Sequence, residues 1–232
     1  GKCSWIPGIV GPQPGTDWSY LVGIDPGYED ESAFSVAAYN NREETLYHIE
    51  TYKQAHMTVD DVRDYATGLV ARYNPDIVVF DSGNLGKMIM ETLSAGGLPM
   101  VAADKTNKLD YIELLNADIK SGRVRIAEGS ELHHEMLALT WDLSRGDKTF
   151  LARTRQLKEN PHQANHACDS FLYLWRWARA RFNPTDAPET EAEDTTARIQ
   201  REIAEHMRNR AKKPNQGRFQ MNHLLTREKY RN

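Results

Sequence analysis

The sequence has little cysteine, no long apolar run and no excess of positive charge. Its 232 residues include two cysteines, Cys3 and Cys168, in no CxxC pattern, which argues against a zinc site and against a disulfide scaffold. No run approaches the roughly 20 apolar residues of a membrane span. The formal net charge of −4 excludes a uniformly basic surface, although it leaves room for a local nucleic-acid-binding patch.

The chain also lacks a Gly-x-x-x-x-Gly-Lys-[Ser/Thr] phosphate loop, so any ATP-driven motor that it serves must lie elsewhere. Proline and glycine crowd residues 1–18, which predicts a lead-in or linker. Residues 19–183 carry the regular apolar patterns and are predicted to form one domain. Residues 184–232 are first acidic and then basic, which predicts a charged, mobile tail.

The apolar pattern predicts an α/β domain. Residues 20–25, 33–39 and 45–52 are strand-like and joined by short polar connections, as in an antiparallel meander. Strands and helices then alternate, which predicts parallel strands. The predicted later elements are helices at 58–73, 85–95, 108–121, 131–139 and 163–182, strands at 77–80, 98–102 and 124–126, and a β-hairpin at 140–151. This order predicts a ribonuclease-H-like mixed sheet flanked by helices, with an added β-hairpin.

Three carboxylates stand beside apolar sequence. Asp25 and Asp81 each end a strand-like run, and Asp169 interrupts the last apolar helix. Asp25 alone is also typical of a turn, and Asp81 alone of a helix N-cap. In the predicted fold, however, the first and fourth strands are adjacent and the last helix packs over them. The three acids together therefore favour a shared site for two divalent ions, Mg²⁺ or Mn²⁺, in a metal-dependent nuclease.

Further residues are candidates for the same site. Asp30, just past the first strand, is the candidate fourth acid or water-mediated ligand, although a solvated turn is the commoner explanation of such an acid. Lys105 and Lys108 follow the fifth strand, where they could meet a phosphate. The segment 145–158 is locally basic, which predicts contacts to a DNA backbone from Arg145, Lys148, Arg153 and Arg155.

The acidic motifs resemble those of a known family. Val22-Gly-Ile-Asp-Pro-Gly27, Val78-Val-Phe-Asp-Ser-Gly83 and Asn165-His-Ala-Cys-Asp-Ser170 resemble the three acidic motifs of the nuclease domain of tailed-bacteriophage large terminase subunits, which belong to the ribonuclease-H-like, resolvase-like superfamily. The stretch Leu137-Ala-Leu-Thr-Trp-Asp-Leu143 is similar to the hairpin region of that family, and the resemblance spans roughly residues 19–182.

The resemblance implies an endonuclease that cuts concatemeric double-stranded viral DNA during genome packaging. It implies two Mg²⁺ or Mn²⁺ ions held by Asp25, Asp81 and Asp169. It also implies an ATPase domain N-terminal to this one in the full-length protein. The implied partners are a portal protein and a small terminase subunit, in the host-cell cytoplasm and not at a membrane.

Three alternatives remain at the level of sequence. A Holliday-junction resolvase or a transposase-like nuclease has similar acids on the same fold. A non-catalytic domain that docks on a portal or on DNA would need no convergent acids. Half of an actin-like ATPase shares the opening meander, but the stretch after Asp25 is too acidic to hold a phosphate. Substitution of the acids separates the nuclease from the docking domain.

Overall fold

The computed structural model describes residues 4–5, 17–27, 30–40, 42, 44–83, 85–95, 97–144, 146, 151 and 157–182. By its internal contacts the chain divides into one unit of Gly1–Asp186 and a second of Ala187–Asn232. The predicted C-terminal tail lies outside the described residues.

The first unit is built on a mixed sheet. Its strands are β1 (Ser4–Trp5), β2 (Ser19–Asp25), β3 (Glu31–Tyr39), β4 (Leu46–Ala55), β5 (Ile77–Phe80), β6 (Met100–Ala102) and β7 (Val124–Ala127). They lie in the order β1-β7-β4-β3-β2-β5-β6. Strands β2, β3 and β4 pair antiparallel, whereas β5 pairs parallel with β2 and β6 parallel with β5. The predicted antiparallel meander followed by parallel strands is confirmed.

Five helices flank the sheet in the described part of the chain: α1 (Val59–Tyr73), α2 (Leu85–Ala95), α3 (Lys108–Ser121), α4 (Glu131–Ala138) and α5 (His166–Phe182). Helix α1 begins at a capping box, in which Thr58 and Asp61 each accept a hydrogen bond from the other's backbone N–H. It ends at Asn74, whose left-handed backbone precedes a proline that cannot continue a helix. Local sequence therefore fixes both ends of α1.

The two faces of the sheet are covered by different helices. On one face, Val22, Ile24 and Phe80 pack in a core with residues of α1 and α2. Helix α5 packs against β2, β3, β4 and β5. Because helices cover both faces, all four residues of β5 are buried, which explains its continuous apolar run.

Two segments add detail that the sequence pattern did not predict. Ser4–Trp5, within the predicted lead-in, pairs parallel with Ile126 and Ala127 of β7. Residues 145 and 147–150 of the predicted 140–151 hairpin, which include its turn at Arg145, lie outside the described residues. At its described ends, Trp141 bridges antiparallel to Glu159, and Leu151 has helical backbone. Among the described helices, none is long and apolar enough to cross a membrane.

A buried chain of polar side chains lies beneath α5. The Ser35 hydroxyl lies 2.7 Å from that of Ser170 and 2.9 Å from that of Thr51. Thr51 lies 2.7 Å from His48 Nε2, and His48 Nδ1 accepts a hydrogen bond of 3.3 Å from the backbone N–H of Ala127. Since Nδ1 accepts, Nε2 carries the proton and donates to Thr51. This series of hydrogen bonds links α5 to the sheet through uncharged side chains.

His48 predicts a loss of stability in acid. Burial lowers the pKa of His48 from 6.5 to about 3. The unfolded chain therefore binds a proton below about pH 6.5 that the folded chain does not bind, and stability is lost as the pH falls from that value towards about 3. At about pH 5 the expected loss is about 2 kcal/mol.

The measurement is urea unfolding of the wild type and of His48→Gln from neutral pH to about pH 5. The wild type should lose about 2 kcal/mol more over this range than the variant. Parallel curves for the two proteins would show that His48 is not held neutral in the fold.

Candidate metal centre

Three carboxylates from distant parts of the chain meet at one end of the sheet. Asp25 is the last residue of β2, and Asp81 directly follows β5. Because Ile24 and Phe80 are paired in the parallel ladder, the next residue of each strand lies at the same edge. Helix α5 brings Asp169 there in its first turn. Asp25, Asp81 and Asp169 are 8%, 8% and 9% exposed, so all three are buried.

Gly23 allows α5 to approach this closely. A Cβ atom at Gly23 would lie 2.0 Å from the backbone oxygen of Ser170, far inside contact distance. Any side chain there would push the helix away from β2. Since Ser170 follows Asp169 and Gly23 precedes Asp25 by two residues on the same face, the missing side chain sets the separation of the two acids.

His166 partners Asp25. Its Nδ1 lies 2.9 Å from Asp25 Oδ2. The hydrogen bond with Asp25 raises the pKa of His166, and nearby carboxylates, including Glu135 and Asp30, add to the effect. Burial raises the pKa of Asp25, although His166 opposes it. The imidazole therefore fixes the orientation of one carboxylate, and the raised pKa of His166 favours its protonated form beside that carboxylate.

Lys105 partners Asp81. Its Nζ lies 2.5 Å from Asp81 Oδ2, and the Gly83 N–H donates to Oδ1 at 2.9 Å. Burial alone would raise the pKa of Asp81, but these two donors outweigh it and hold the pKa below its usual value. Tyr173 adds a longer hydrogen bond of 3.4 Å from its hydroxyl. Asp81 is thus held ionised.

Lys108 partners Asp169 together with a carboxylate that sequence analysis did not single out. Lys108 Nζ lies 2.6 Å from Asp169 Oδ1, 2.9 Å from Asp169 Oδ2 and 2.6 Å from Glu159 Oε2. Burial raises the pKa of Asp169 to about 7, against the opposing effect of Lys108. The two acids raise the pKa of Lys108 in spite of its burial.

The donor set fits a hard divalent cation. The described residues hold no ready cluster of three His, Cys, Asp or Glu side chains in metal-binding arrangement. Instead, Asp25, Asp81 and Asp169 each face a cationic or ionisable side chain of the protein itself. Asp169 Oδ1 is buried and accepts no hydrogen bond, although Lys108 lies close to it. Carboxylate oxygens are hard ligands, and a group of them suits a hard divalent cation.

Comparison with known proteins identifies relatives with this architecture. No family model matches the sequence. The large terminase subunit of Escherichia phage T5 is 30% identical over 156 residues, which are 66% of this chain and 34% of that protein. The chain thus spans about a third of the length of this curated relative.

Solved structures share the fold. The large terminase nuclease of thermophilic phage G20c with bound magnesium superposes with a TM-score of 0.54 at 18% identity, over 70% of this chain and 83% of that one. The G20c nuclease with bound cobalt gives 0.53 at 18% identity, over 69% and 81%. The large terminase of a second thermophilic bacteriophage gives 0.57 at 17% identity, over 75% and 40%.

This chain is similar in sequence to the large terminase subunit of phage T5 and has the fold of the G20c large terminase nuclease. The resemblance seen in the acidic motifs is thereby confirmed, as is the predicted fold class. In the terminase-like domain, the two lysines predicted to contact phosphate, Lys105 and Lys108, lie on the acids themselves. Asp30 is exposed, and its charge helps to raise the pKa of His166.

Not every predicted site residue can be placed. Arg145, Lys148, Arg153 and Arg155, the predicted DNA contacts of the terminase-like domain, lie outside the described residues. The sequence pattern did not predict Glu159 as a site residue. The one signal was its position shortly before the Asn165-His-Ala-Cys-Asp motif, in a segment without regular periodicity.

Glu135 is a second residue that sequence analysis missed. This α4 side chain is 6% exposed, and its Oε1 accepts a hydrogen bond of 2.8 Å from the Cys168 N–H in the first turn of α5. Its Oε2 lies 3.0 Å from Lys53, which also contacts Glu31 at 2.8 Å. Because the first N–H groups of a helix have no partners within it, Glu135 caps the helix that carries Asp169.

Proposed function

We propose that this chain is a metal-dependent DNA endonuclease, the nuclease part of a large terminase. The observation that carries the proposal is the meeting of Asp25, Asp81 and Asp169, all buried, at one end of the sheet. Buried carboxylates are costly unless cations compensate them. The fold shared with the G20c nuclease, which was solved with magnesium and with cobalt, supports the same assignment.

The ligands of the proposed centre are Asp25, Asp81 and Asp169, holding two ions, Mg²⁺ or Mn²⁺. Asp30 remains a candidate for a water-mediated contact. Bound divalent ions would supply a water ionised at neutral pH and a counter-charge for the phosphate. The protein would fix the carboxylates through the Gly83 N–H and the His166 ring.

The positive side chains around the acids would bind the DNA substrate. Lys105 is half-exposed, so its ammonium can leave Asp81 and contact a DNA phosphate. The basic segment with Arg145, Lys148, Arg153 and Arg155 would hold the backbone further away. Contacts of this kind recognise phosphate rather than base edges, so cleavage should depend on salt and little on sequence.

In the full-length protein we propose that this activity cuts concatemeric viral DNA during packaging in the host-cell cytoplasm. The proposed partners are double-stranded DNA, a portal protein and a small terminase subunit, with an ATPase domain N-terminal to the nuclease. The relationship to the phage T5 large terminase subunit supports this setting.

Plasmid cleavage tests the proposal. With Mn²⁺ or Mg²⁺ the wild type should nick or linearise plasmid DNA, and EDTA should abolish the activity. Asp25→Asn, Asp81→Asn and Asp169→Asn keep the size of each side chain but remove its charge. Each should lower the rate by about a hundredfold. Even replacing a residue that contacts only a metal ligand, and not the metal, lowers metal affinity or activity by about 10–100-fold.

A surface carboxylate provides the control. Asp64 is exposed on α1, so Asp64→Asn should cleave like the wild type. If the wild type is folded but cuts with neither ion, and binds Mn²⁺ no better than the three variants, the acids are structural. The non-catalytic docking domain would then be the better assignment.

A further inference from the structure

Lys108 Nζ lies where a small cation would bind. It contacts three carboxylate oxygens, two of Asp169 and one of Glu159, at 2.6, 2.9 and 2.6 Å. Lys108 is the first residue of α3, and the positive end of a helix dipole disfavours a cation there. The acids, rather than the helix, hold the ammonium in this position.

Regular backbone hydrogen bonds hold both Glu159 and Asp169 in place. The backbone of Glu159 is fixed by its bridge to Trp141, with hydrogen bonds of 2.8 Å from the Asp142 N–H to Lys158 O and of 2.9 Å from the Asn160 N–H to Thr140 O. Asp169 lies in the first turn of α5. The cluster is therefore already assembled around a cation.

A single ammonium faces two carboxylates in this arrangement. Asp169 is 9% exposed, and its Oδ1 is buried without a hydrogen bond. The Asn165 amide donates to Glu159 Oε2 at 3.0 Å and to Asp169 Oδ2 at 3.4 Å, so it serves the other Asp169 oxygen. An ion of higher charge would compensate the two carboxylates more fully than the single ammonium does.

We propose that Glu159 is a fourth carboxylate ligand of the metal centre, and that one divalent ion binds between Asp169 and Glu159 by displacing Lys108 Nζ. The inference rests on the proposed nuclease function and deepens it. Among the described residues, the cationic or ionisable partners with which an ion at Asp25 and Asp81 would compete are His166 and the half-exposed Lys105. The ion at Asp169 and Glu159 must displace a lysine that is 30% exposed and held by two acids. The two ions therefore bind with unequal affinity.

Mn²⁺ titration followed by calorimetry or electron paramagnetic resonance tests this without requiring cleavage. In Lys108→Met the weaker ion should bind about tenfold more tightly, because no ammonium is displaced. In Glu159→Gln the weaker ion should bind about tenfold less tightly, with the stronger ion unchanged. Lys120→Met removes an exposed charge from the other end of α3 and should match the wild type.

Thermal unfolding controls for a folding defect. Lys108→Met leaves Asp169 and Glu159 uncompensated, so its Tm should fall in EDTA and rise with Mn²⁺ by more than that of the wild type.

An equal Mn²⁺ response in Lys108→Met, Lys120→Met and the wild type would overturn the inference. If the wild type binds Mn²⁺ and Asp25→Asn does not, the proposed metal centre would survive that result. If the wild type binds no Mn²⁺ at all, the proposed function itself fails.

Discussion

Replacing Gly23 with alanine should destabilise the domain by more than about 3 kcal/mol, which is the upper part of the range for overpacking a core. The new methyl group would lie 2.0 Å from the backbone oxygen of Ser170 and 3.0 Å from a methyl carbon of Leu174. A backbone oxygen in a helix cannot rotate away as a side chain can, so α5 must move as a unit. The displacement would also carry Asp169 away from Asp25.

Urea unfolding of Gly23→Ala checks the prediction, with Gly68→Ala as its control. Gly68 lies within α1, and a methyl group there would meet no heavy atom within 4 Å apart from its own stretch of helix. Alanine at this position should therefore raise stability by about 0.5–1 kcal/mol. The same substitution should thus lower the free energy of unfolding at Gly23 and raise it at Gly68. Equal stability of Gly23→Ala and the wild type would mean that α5 does not contact β2 this closely.

Replacing Asp118 should cost about 3–5 kcal/mol, the usual cost of removing one partner from a buried ion pair. Asp118 lies on α3 and is 4% exposed. Its Oδ2 accepts hydrogen bonds from Arg179 at 2.7 Å and from the Trp175 indole at 3.2 Å, both on α5. Its Oδ1 accepts from Arg123 Nε at 2.9 Å. One carboxylate therefore connects α3, α5 and the turn before β7.

The test is a double-mutant cycle followed by urea unfolding. Asp118→Leu leaves the buried Arg179 without its carboxylate, whereas Asp118→Leu combined with Arg179→Met removes both charges. The double variant should recover part of the loss, because apolar residues replace a buried ion pair at little cost. Glu113→Gln, at an exposed position of α3, should be neutral. Additive losses at Asp118 and Arg179 would show that the pair is not coupled.

Most of the fold could be predicted because its elements carry strong local signals. The continuous apolar run Ile77–Phe80 and the helices Leu85–Ala95 and Lys108–Ser121 were predicted with the bounds that the structure has. The last helix begins at His166, three residues later than predicted. Ser4–Trp5 could not be predicted, since two residues have no periodicity and this strand exists only through its pairing with β7.

The site was predictable only in part, for a different reason. An acid that ends a strand or interrupts an apolar helix is conspicuous, so Asp25, Asp81 and Asp169 could be proposed as site residues from their neighbours. Glu159 lies in an irregular segment, where a carboxylate is ordinary. Which acid each lysine contacts depends on tertiary packing, which no local pattern encodes: Lys105 contacts Asp81 after β5, and Lys108 of α3 contacts Asp169 of α5.

The contact between Asp25 and His166 joins residues 141 positions apart in the chain. Strand β2 is among the first described elements to leave a ribosome, and α5 is the last. Contacts of such long sequence separation form late, after the segments between them have been made. A nascent chain that ends before His166 holds Asp25 and Asp81 but lacks Asp169. The three acids can therefore come together only after α5 has been synthesised.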